Sequence, residues 1–327
     1  MDAALRVRVS YESGLGHWVR QTHLARALMR LGWWVTLFPD AWDRLPQCSP
    51  RDLDILPVKN DSAFLEMLPQ DIPLVVLDVQ NTEAAWVRQI RQRALRVAGF
   101  EDLGTGRNLL DLLVDSQLAP EQADQLPPEV TALFGWDYAL IDPEILKRET
   151  PLKSFEGGLQ KVLVTLGGTD PNHLTLPLTE ALLGHPRAPA VTVVTGPGFQ
   201  PEEDIARLQE TGSFEWFRSP PTLRELLENH DAVFCAGGVT LLEALALGTP
   251  AFVVAQAAHQ VETARKLEKL GATRLLGRAG DWSPEAIYQV LHTPSDALIR
   301  QSLNGRKLID GRGLERIVQA LLEVHSL

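Results

Sequence analysis

Leu5-Arg6-Val7-Arg8-Val9 runs into Ser13-Gly14-Leu15-Gly16-His17, and the chain from about Trp18 to Leu31 then reads as a helix. A short apolar strand that stops at glycines and feeds a helix predicts the first β-turn-α step of a parallel sheet. Free N–H groups and the positive end of the helix dipole make such a turn an anion site. His17 adds the one side chain that readily changes charge near neutral pH. The turn around Gly14 and Gly16 is not the dinucleotide fingerprint, because its third glycine is missing and Arg20 lies near that place. It is not a Walker loop either, because no Gly-Lys-Ser/Thr follows. A plain tight turn whose histidine caps the helix fits the same residues.

The same alternation continues along the first half. The helix after the turn places Leu24, Leu28 and Leu31 on one face and stops at Gly32. Trp33 to Phe38 and Leu74-Val75-Val76-Leu77-Asp78 read as buried strands, the latter with an aspartate at its tip. Thr82 to Gln92 is helical, Leu95 to Phe100 a strand, and Leu109 to Asp115 closes the series. The Trp33-Trp34 pair is assigned to the core. The polar stretch Asp142 to Gly158 reads as a linker.

The second half restarts the pattern. Lys161 to Leu166 is a strand followed by Gly167-Gly168, and Ala190 to Thr195 a strand followed by Gly196. Ala232 to Ala236 is a strand followed by Gly237-Gly238, and Ala251 to Val254 is another. The last helix, from about Gly313 to Val324, carries a stripe of Leu314, Ile317, Val318, Leu321 and Leu322. Continuous apolar strands alternating with helices predict two α/β domains with parallel sheets covered on both faces. We place them at 1–145 and 158–305, with a helical tail at 306–327 free to pack back on the first. Ligands of such sheets bind beyond the carboxyl ends of the strands. All the glycine turns lie at such ends, so a central cleft between two Rossmann-like domains is expected.

Two segments carry most of the chemistry. In Gly167-Gly168-Thr169-Asp170-Pro171-Asn172, paired glycines let a phosphate or ribose approach the backbone. Thr169 and Asp170 can also simply cap the next helix, which carries Leu174, Leu178 and Leu182. In Ala236-Gly237-Gly238-Val239-Thr240-Leu241-Leu242-Glu243, a strand ends, two glycines open the backbone, and Thr240 offers a hydroxyl in the first helical turn. The N–H groups there suit a diphosphate. Glu243, about one turn on, can accept from ribose hydroxyls, and a Thr240/Glu243 capping box accounts for the same spacing. The loop Gln256-Ala257-Ala258-His259-Gln260 offers amide and imidazole groups for sugar hydroxyls, although a loop histidine is commonly just solvated.

Composition sets bounds. The 327 residues carry a net charge of −11, with 45% hydrophobic and 22% charged residues. That balance argues against nucleic-acid or anionic-membrane partners. It also means that an anionic substrate must be held by local donors. The two cysteines, Cys48 and Cys235, form no disulfide framework and fit a reducing cytoplasm. Neither a signal-like apolar run nor a membrane-length segment is read, so no membrane insertion is expected. No histidine pair has metal-ligand spacing.

Taken together, these segments resemble nucleotide-sugar enzymes of the GT-B architecture. They most resemble the UDP-sugar hydrolase family of the pseudaminic acid pathway, which takes in the spore-coat polysaccharide protein SpsG. The Gly-x-Gly-His-x-x-Arg turn is matched by Gly14 to Arg20, and the Gly-Gly-x-Asp segment by Gly167 to Asp170 with Asn172 and Leu174. Tyr-Ala-Leu is matched by Tyr138 to Leu140, and the Ala-Gly-Gly-x-Thr-x-x-Glu helix with its Leu-Gly-x-Pro ending by Ala236 to Pro250. A terminal Asn-Gln is matched in part by His259-Gln260. The chain departs from the pattern at Arg8, where the family has an acid. It departs again at Asp78-Val79-Gln80, where the family has Asp-x-Tyr, and at Ile141-Asp142, where the family has an arginine.

The resemblance implies UDP on the second domain. There Gly167, Gly168, Thr169, Gly237, Gly238, Val239 and Thr240 meet the diphosphate, Glu243 the ribose, and Phe217 and Arg218, after a strand around Glu215, the base. It implies that Gly14, Gly16, Arg20, Asp78, Tyr138, Asp170, His259 and Gln260 hold the sugar. His17 is then the general base that activates water at the anomeric carbon, with no metal and no cofactor. A glycosyltransferase that deprotonates an acceptor hydroxyl with the same histidine is the first alternative. A non-catalytic sugar-nucleotide-binding protein is the second.

Overall fold

A computed structural model describes residues 1–12, 14–43, 50–117, 120–146, 150–200, 203–211 and 214–323. Ser13 and Cys48 lie outside the described residues. The chain divides into two compact units, Met1–Ile141 with the chain from Gly311 onward, and Asp142–Asp310.

The first unit contains strands β1 (Asp2–Val7), β2 (Trp34–Pro39), β3 (Asp54–Ile55), β4 (Leu74–Asp78), β5 (Val97–Phe100), β6 (Leu112–Asp115) and β7 (Thr131–Phe134). They pair in parallel in the order β3-β2-β1-β4-β5-β6-β7. Helices α1 (Gly16–Arg30), α2 (Asp61–Met67) and α3 (Ala84–Arg91), with the closing helix Gly313–Glu323, belong to the same unit. The two-residue period of the strands sorts their side chains onto two faces. Leu5, Val7, Leu74 and Val76 join α1 and the closing helix through Leu24, Leu28, Leu314, Ile317 and Leu321. Ala4, Val75, Leu77 and Leu113 join the other face, with Phe64, Val87 and Ile90 from α2 and α3.

Arg6 lies on the second face and is fully buried. Its guanidinium donates to Asp61 Oδ1 at 2.8 and 3.0 Å, to Asp40 Oδ1, and to the carbonyls of Val7 at 2.9 Å and Phe38 at 3.1 Å. A buried guanidinium with its donors taken up in this way ties the ends of β1 and β2 to the start of α2. Arg8 reaches the same two carboxylates only at 3.4 Å and its side chain is 39% exposed.

The second unit contains β8 (Lys161–Thr165), α4 (Thr175–Leu183), β9 (Ala190–Thr195), α5 (Glu203–Thr211), β10 (Glu215–Arg218), α6 (Arg224–Asn229) and β11 (Ala232–Cys235). It continues with α7 (Val239–Leu247), β12 (Ala251–Ala255), α8 (Ala258–Lys269), β13 (Thr273–Arg278), α9 (Pro284–Leu291) and α10 (Ser295–Leu308). Its strands are parallel in the order β10-β9-β8-β11-β12-β13. Val162, Val164, Leu178, Leu182, Phe234 and Phe252 lie at the centre of its core. Among the described residues no helix is long and apolar enough to cross a membrane.

Two parallel α/β sheets are what the alternating pattern predicts. Details differ for physical reasons. Strands β3, β7 and β13 and helix α2 were not expected. β3 pairs over only two residues, and β7 and β13 are edge strands; Arg274, Gly277 and Arg278 interrupt the apolar run of β13. Leu31 is 54% exposed, because α1 ends at Arg30 before its stripe comes round again. Trp33 is core at 5% exposure, but Trp34, at the solvent end of β2, is 72% exposed. The stretch read as a linker is bound into the second unit. Lys153 Nζ donates to the carbonyls of Leu227, Glu228 and His230 at 2.9, 2.7 and 2.6 Å, capping the end of α6.

Replacing the buried arginine, Arg6→Ala, is expected to lower the unfolding free energy by about 3 kcal/mol, the usual result of breaking a buried ion pair. Arg8→Ala, at the exposed end of the same cluster, is expected to cost less than about 1 kcal/mol. Denaturant unfolding of both variants checks the contrast.

Candidate functional site

In each unit the strand order reverses between two neighbouring strands, β1 and β4 in the first and β8 and β11 in the second. Loops that leave such a pair diverge and open a crevice at the carboxyl ends. In the first unit that crevice receives the start of α1 and the tip of β4, where Val7 and Asp78 are register partners.

Three side chains converge on Asp78. His17 Nδ1 lies 2.6 Å from Asp78 Oδ1, and Arg20 Nη2 donates to the same oxygen at 2.6 Å. Arg20 Nε donates to Oδ2 at 2.7 Å and Gln21 Nε2 to Oδ2 at 2.9 Å. Arg20 Nη1 meets Glu101 Oε1 at 2.7 Å, and the guanidinium lies 5.7 Å from the centre of the Phe100 ring. The spacing explains the convergence: residues 17, 20 and 21 share one face of a helix at i, i+3 and i+4.

Asp78 is fully buried. Burial alone would raise its carboxyl, but the charge of Arg20 and then that of His17, with their hydrogen bonds, hold it well below the usual carboxylate range. Arg20 is the converse case: burial opposes its charge, and Asp78 and Glu101 more than restore it. An ionised Asp78 accepts only, so a hydrogen bond from His17 to it requires the proton on Nδ1, and that tautomer carries its lone pair on Nε2. A carboxylate behind an imidazole holds that tautomer and stabilises the imidazolium formed when Nε2 takes a proton. The His17 side chain is 17% exposed, enough for a small reactant to reach it.

In the second unit the turns after β8 and β11 flank the reversal. The backbone at Gly167 is left-handed, with φ of 92°. A Cβ on Gly237 would lie 2.8 Å from the Cβ and carbonyl oxygen of Gln260, so glycine there lets the first turn of α8 approach the start of α7. Helix α7 begins at Val239 behind Gly238, and no side chain caps it. Its first N–H groups therefore have no capping side chain, the arrangement that favours an anion. Beside it, Gln256 Nε2 donates to Asp170 Oδ1, and Asn172 Nδ2 donates to Gln256 Oε1 at 2.7 Å. Gln260 Oε1 accepts from Gln256 N at 2.8 Å.

The expected residues fare differently. His17 is in the first turn of α1, which has no side-chain cap hydrogen bond, so the histidine does not cap the helix. Gly14 is left-handed with φ of 72°, and Gly16 opens the helix. Asp78 and Arg20, expected to hold the sugar, bond to one another and to His17, Gln21 and Glu101. Asp170 was expected to hold the sugar as well. It is 2% exposed and its oxygens accept from Leu174 N at 3.0 Å and Thr175 N at 2.9 Å, the capping alternative. Thr169 is 1% exposed.

Tyr138 packs half-buried against the first unit's core. Phe217 and Arg218 lie within edge strand β10, not after it, and Phe217 is 42% exposed. His259 and Gln260 are in the first turn of α8 rather than in a loop, with His259 exposed. Glu243 is buried and accepts the backbone N–H of Asp142, so the Thr240/Glu243 capping box does not form. Burial first, and then the Asp142 charge, raise its carboxyl to about 8. Gln21, Glu101 and Gln256 were not singled out as site residues. Helical spacing from His17 points to Gln21, and an acid just past an apolar strand points to Glu101 as it does to Asp78.

No family model matches the chain. Its sequence is 24% identical over 330 residues to the spore coat polysaccharide biosynthesis protein SpsG of Bacillus subtilis, covering 97% of this chain and 96% of that protein. It is 24% identical over 341 residues to an uncharacterized protein of Methanocaldococcus jannaschii, covering all of this chain and 67% of that one. Among solved structures it is similar to Acinetobacter baumannii MurG, with a TM-score of 0.66 at 12% identity over 98% of this chain and 99% of that one. The calicheamicin glycosyltransferase CalG4 superposes with a TM-score of 0.63 at 14% identity, over 100% and 99% of the two chains. The chain has the GT-B fold. A further GT-B relative in shape, Phytolacca americana UGT2 in complex with UDP-2-fluoro-glucose and pterostilbene, gives 0.66 at 12% identity, over 98% of each chain.

Two pH-dependent outcomes follow. The lowered carboxyl of Asp78 stabilises the fold above the unfolded aspartate value of about 4, and that contribution is lost as pH falls below it. Asp78→Asn is expected to flatten the acid limb of stability against pH and, by stranding Arg20, to cost about 3 kcal/mol at pH 7. Glu243 has the opposite sign. Its contribution is intact below the unfolded glutamate value of about 4 and is lost as pH rises through its folded value. Glu243→Gln is thus expected to raise the melting temperature at pH 9 and leave it unmoved at pH 4. Thermal unfolding across pH checks both.

Proposed function

We propose that the chain is a nucleotide-sugar hydrolase that cleaves the anomeric C–O bond of a UDP-sugar, releasing UDP and the free sugar. The observation that carries this reading is the His17–Asp78 pair at the reversal point of the first sheet, with Nδ1 2.6 Å from the carboxylate. Resemblance to SpsG over nearly the full length supports a role in glycan biosynthesis, and GT-B neighbours such as the UDP-2-fluoro-glucose complex support a nucleotide-sugar substrate.

In this scheme Nε2 takes a proton from water as the water oxygen bonds to the anomeric carbon. The bond from that carbon to the diphosphate oxygen breaks, and UDP leaves with the electron pair, on the face opposite to attack. Asp78 stabilises the imidazolium, and the N–H groups at the start of α7, with the turn at Gly168, stabilise charge on the leaving diphosphate. Thr240 offers its hydroxyl to the same group. Ribose hydroxyls replace the Asp142 N–H at Glu243, and Phe217 with Arg218 receives the base. His259 and Gln260, at the start of α8, are left for the sugar.

The test is a panel of nucleotide sugars with nucleotide release as readout, with and without acceptor alcohols. Release without an acceptor is the expected result. Release only with an acceptor turns the reading to a glycosyltransferase, and tight UDP binding without release turns it to a binding protein. His17→Ala is expected to abolish release, a loss of at least about a thousandfold for a residue of this kind. UDP affinity is expected to survive, and its loss with activity overturns the assignment of His17 as base.

A further inference from the structure

Beside the His17–Asp78 pair, the tips of β4 and β5 carry two non-glycine residues in left-handed backbone, Gln80 with φ of 65° and Glu101 with φ of 48°. Such conformations cost about 1 kcal/mol each for ordinary side chains and persist where the surroundings impose them. The surroundings here are explicit. Asp102, 2% exposed, accepts from Thr82 N at 3.0 Å, from the Thr82 hydroxyl and from Gly104 N at 2.8 Å. Leu103 N donates to the Gln80 carbonyl at 2.6 Å, and a Cβ on Gly104 would lie 2.1 Å from the Thr82 carbonyl oxygen. The two loops are locked to each other, so the residues on their rim are held in place.

Glu101 is the residue this lock presents. Its backbone N–H donates to Val114 O at 2.8 Å, continuing the sheet, and its carboxylate meets Arg20 Nη1 at 2.7 Å. Arg20 Nη2 is 3.0 Å from His17 Nδ1, so a single guanidinium separates the Glu101 carboxylate from the imidazole. Asp78 already binds Arg20 through both carboxylate oxygens, with Nε and Nη2 as donors. Of the two carboxylates around Arg20, Asp78 is wholly buried and Glu101 is 21% exposed. Arg20 and then His17 hold Glu101 ionised against the effect of burial. The site thus presents a partly exposed carboxylate in a fixed position, one guanidinium away from the imidazole proposed as base.

We propose that Glu101 is a specificity-determining residue. It accepts hydrogen bonds from hydroxyl or acylamino N–H groups of the sugar near its reacting carbon, and it rejects sugars that carry a carboxylate there. This rests on the nucleotide-sugar reading above. A hydrogen bond to a charged acceptor is worth about tenfold in affinity or more, and facing two carboxylates is unfavourable by a similar factor.

The probes are UDP, UDP-N-acetylglucosamine and UDP-glucuronic acid, titrated calorimetrically into the full chain and into Glu101→Gln. The expected result is that the wild-type chain prefers the acetamido sugar to the acidic one by about tenfold or more, and that the variant reduces the ratio to below about threefold. With any sugar that is turned over, KM is expected to rise more than kcat falls, with the pH profile of kcat in place. An unchanged ratio overturns the proposal. So does equal weakening of all three ligands, or a shifted pH profile with KM unmoved, since the carboxylate then serves only to hold Arg20. A wild-type chain that binds none of the three overturns the nucleotide-sugar reading, and this proposal with it. Binding that is intact but insensitive to Glu101→Gln overturns this proposal alone.

Discussion

The buried carboxylate of Asp78 is the interaction on which the candidate site depends. An ionised group without water is tolerated only where it is paired and hydrogen-bonded, and Asp78 is held by an arginine, an imidazole and an amide from one face of α1. The same bonds that keep it charged decide the tautomer of His17, the direction of Arg20 and the attachment of α1 to the tip of β4. Arg20 carries the effect one step further, to Glu101 at the tip of β5. The geometry of the candidate site and fold stability are therefore not separable at this position.

The second unit solves its own version of the problem with neutral groups. Its reversal point is flanked by amides: Gln256 bonds to Asn172, to Gln260 and to Asp170. The negative charge of Asp170 is spent on the backbone N–H groups of Leu174 and Thr175. The uncapped start of α7 is thus left as the positive feature of that rim. In a chain of net charge −11, an anion is held by such local donors rather than by the overall field.

Much of the architecture was legible because parallel strands buried on both faces must be continuously apolar, as Leu74 to Leu77 and Ala251 to Val254 are. The glycine turns were legible for a related reason: few other residues allow the close approach seen between Gly237 and Gln260. What escaped was the part that depends on partners distant in sequence. Asp78 was visible as a strand-end acid, but its role as the counterpart of His17 is a contact across 61 residues. Asp170 and Glu243 were visible as acids near glycine turns, but the acceptance of backbone N–H groups by their oxygens was not. Glu101 lies beyond an apolar strand as Asp78 does, and only the left-handed turn and Arg20 single it out. Arg6 breaks the apolar rule for a central strand, and its five donors explain how it is accommodated.

The order in which the strands are wired has an evolutionary consequence. Each half runs outward, returns to its middle and leaves in the other direction, and each keeps its chemistry at the tips of the central strands. The tips differ in cost: Asp78 is buried and tied to the fold, whereas Glu101 is partly exposed. On the functional reading proposed here, mutation can retune sugar choice at residue 101 while the nucleotide half goes on unaltered. Lineages built this way can diversify their glycans by small steps, without passing through an unfolded ancestor.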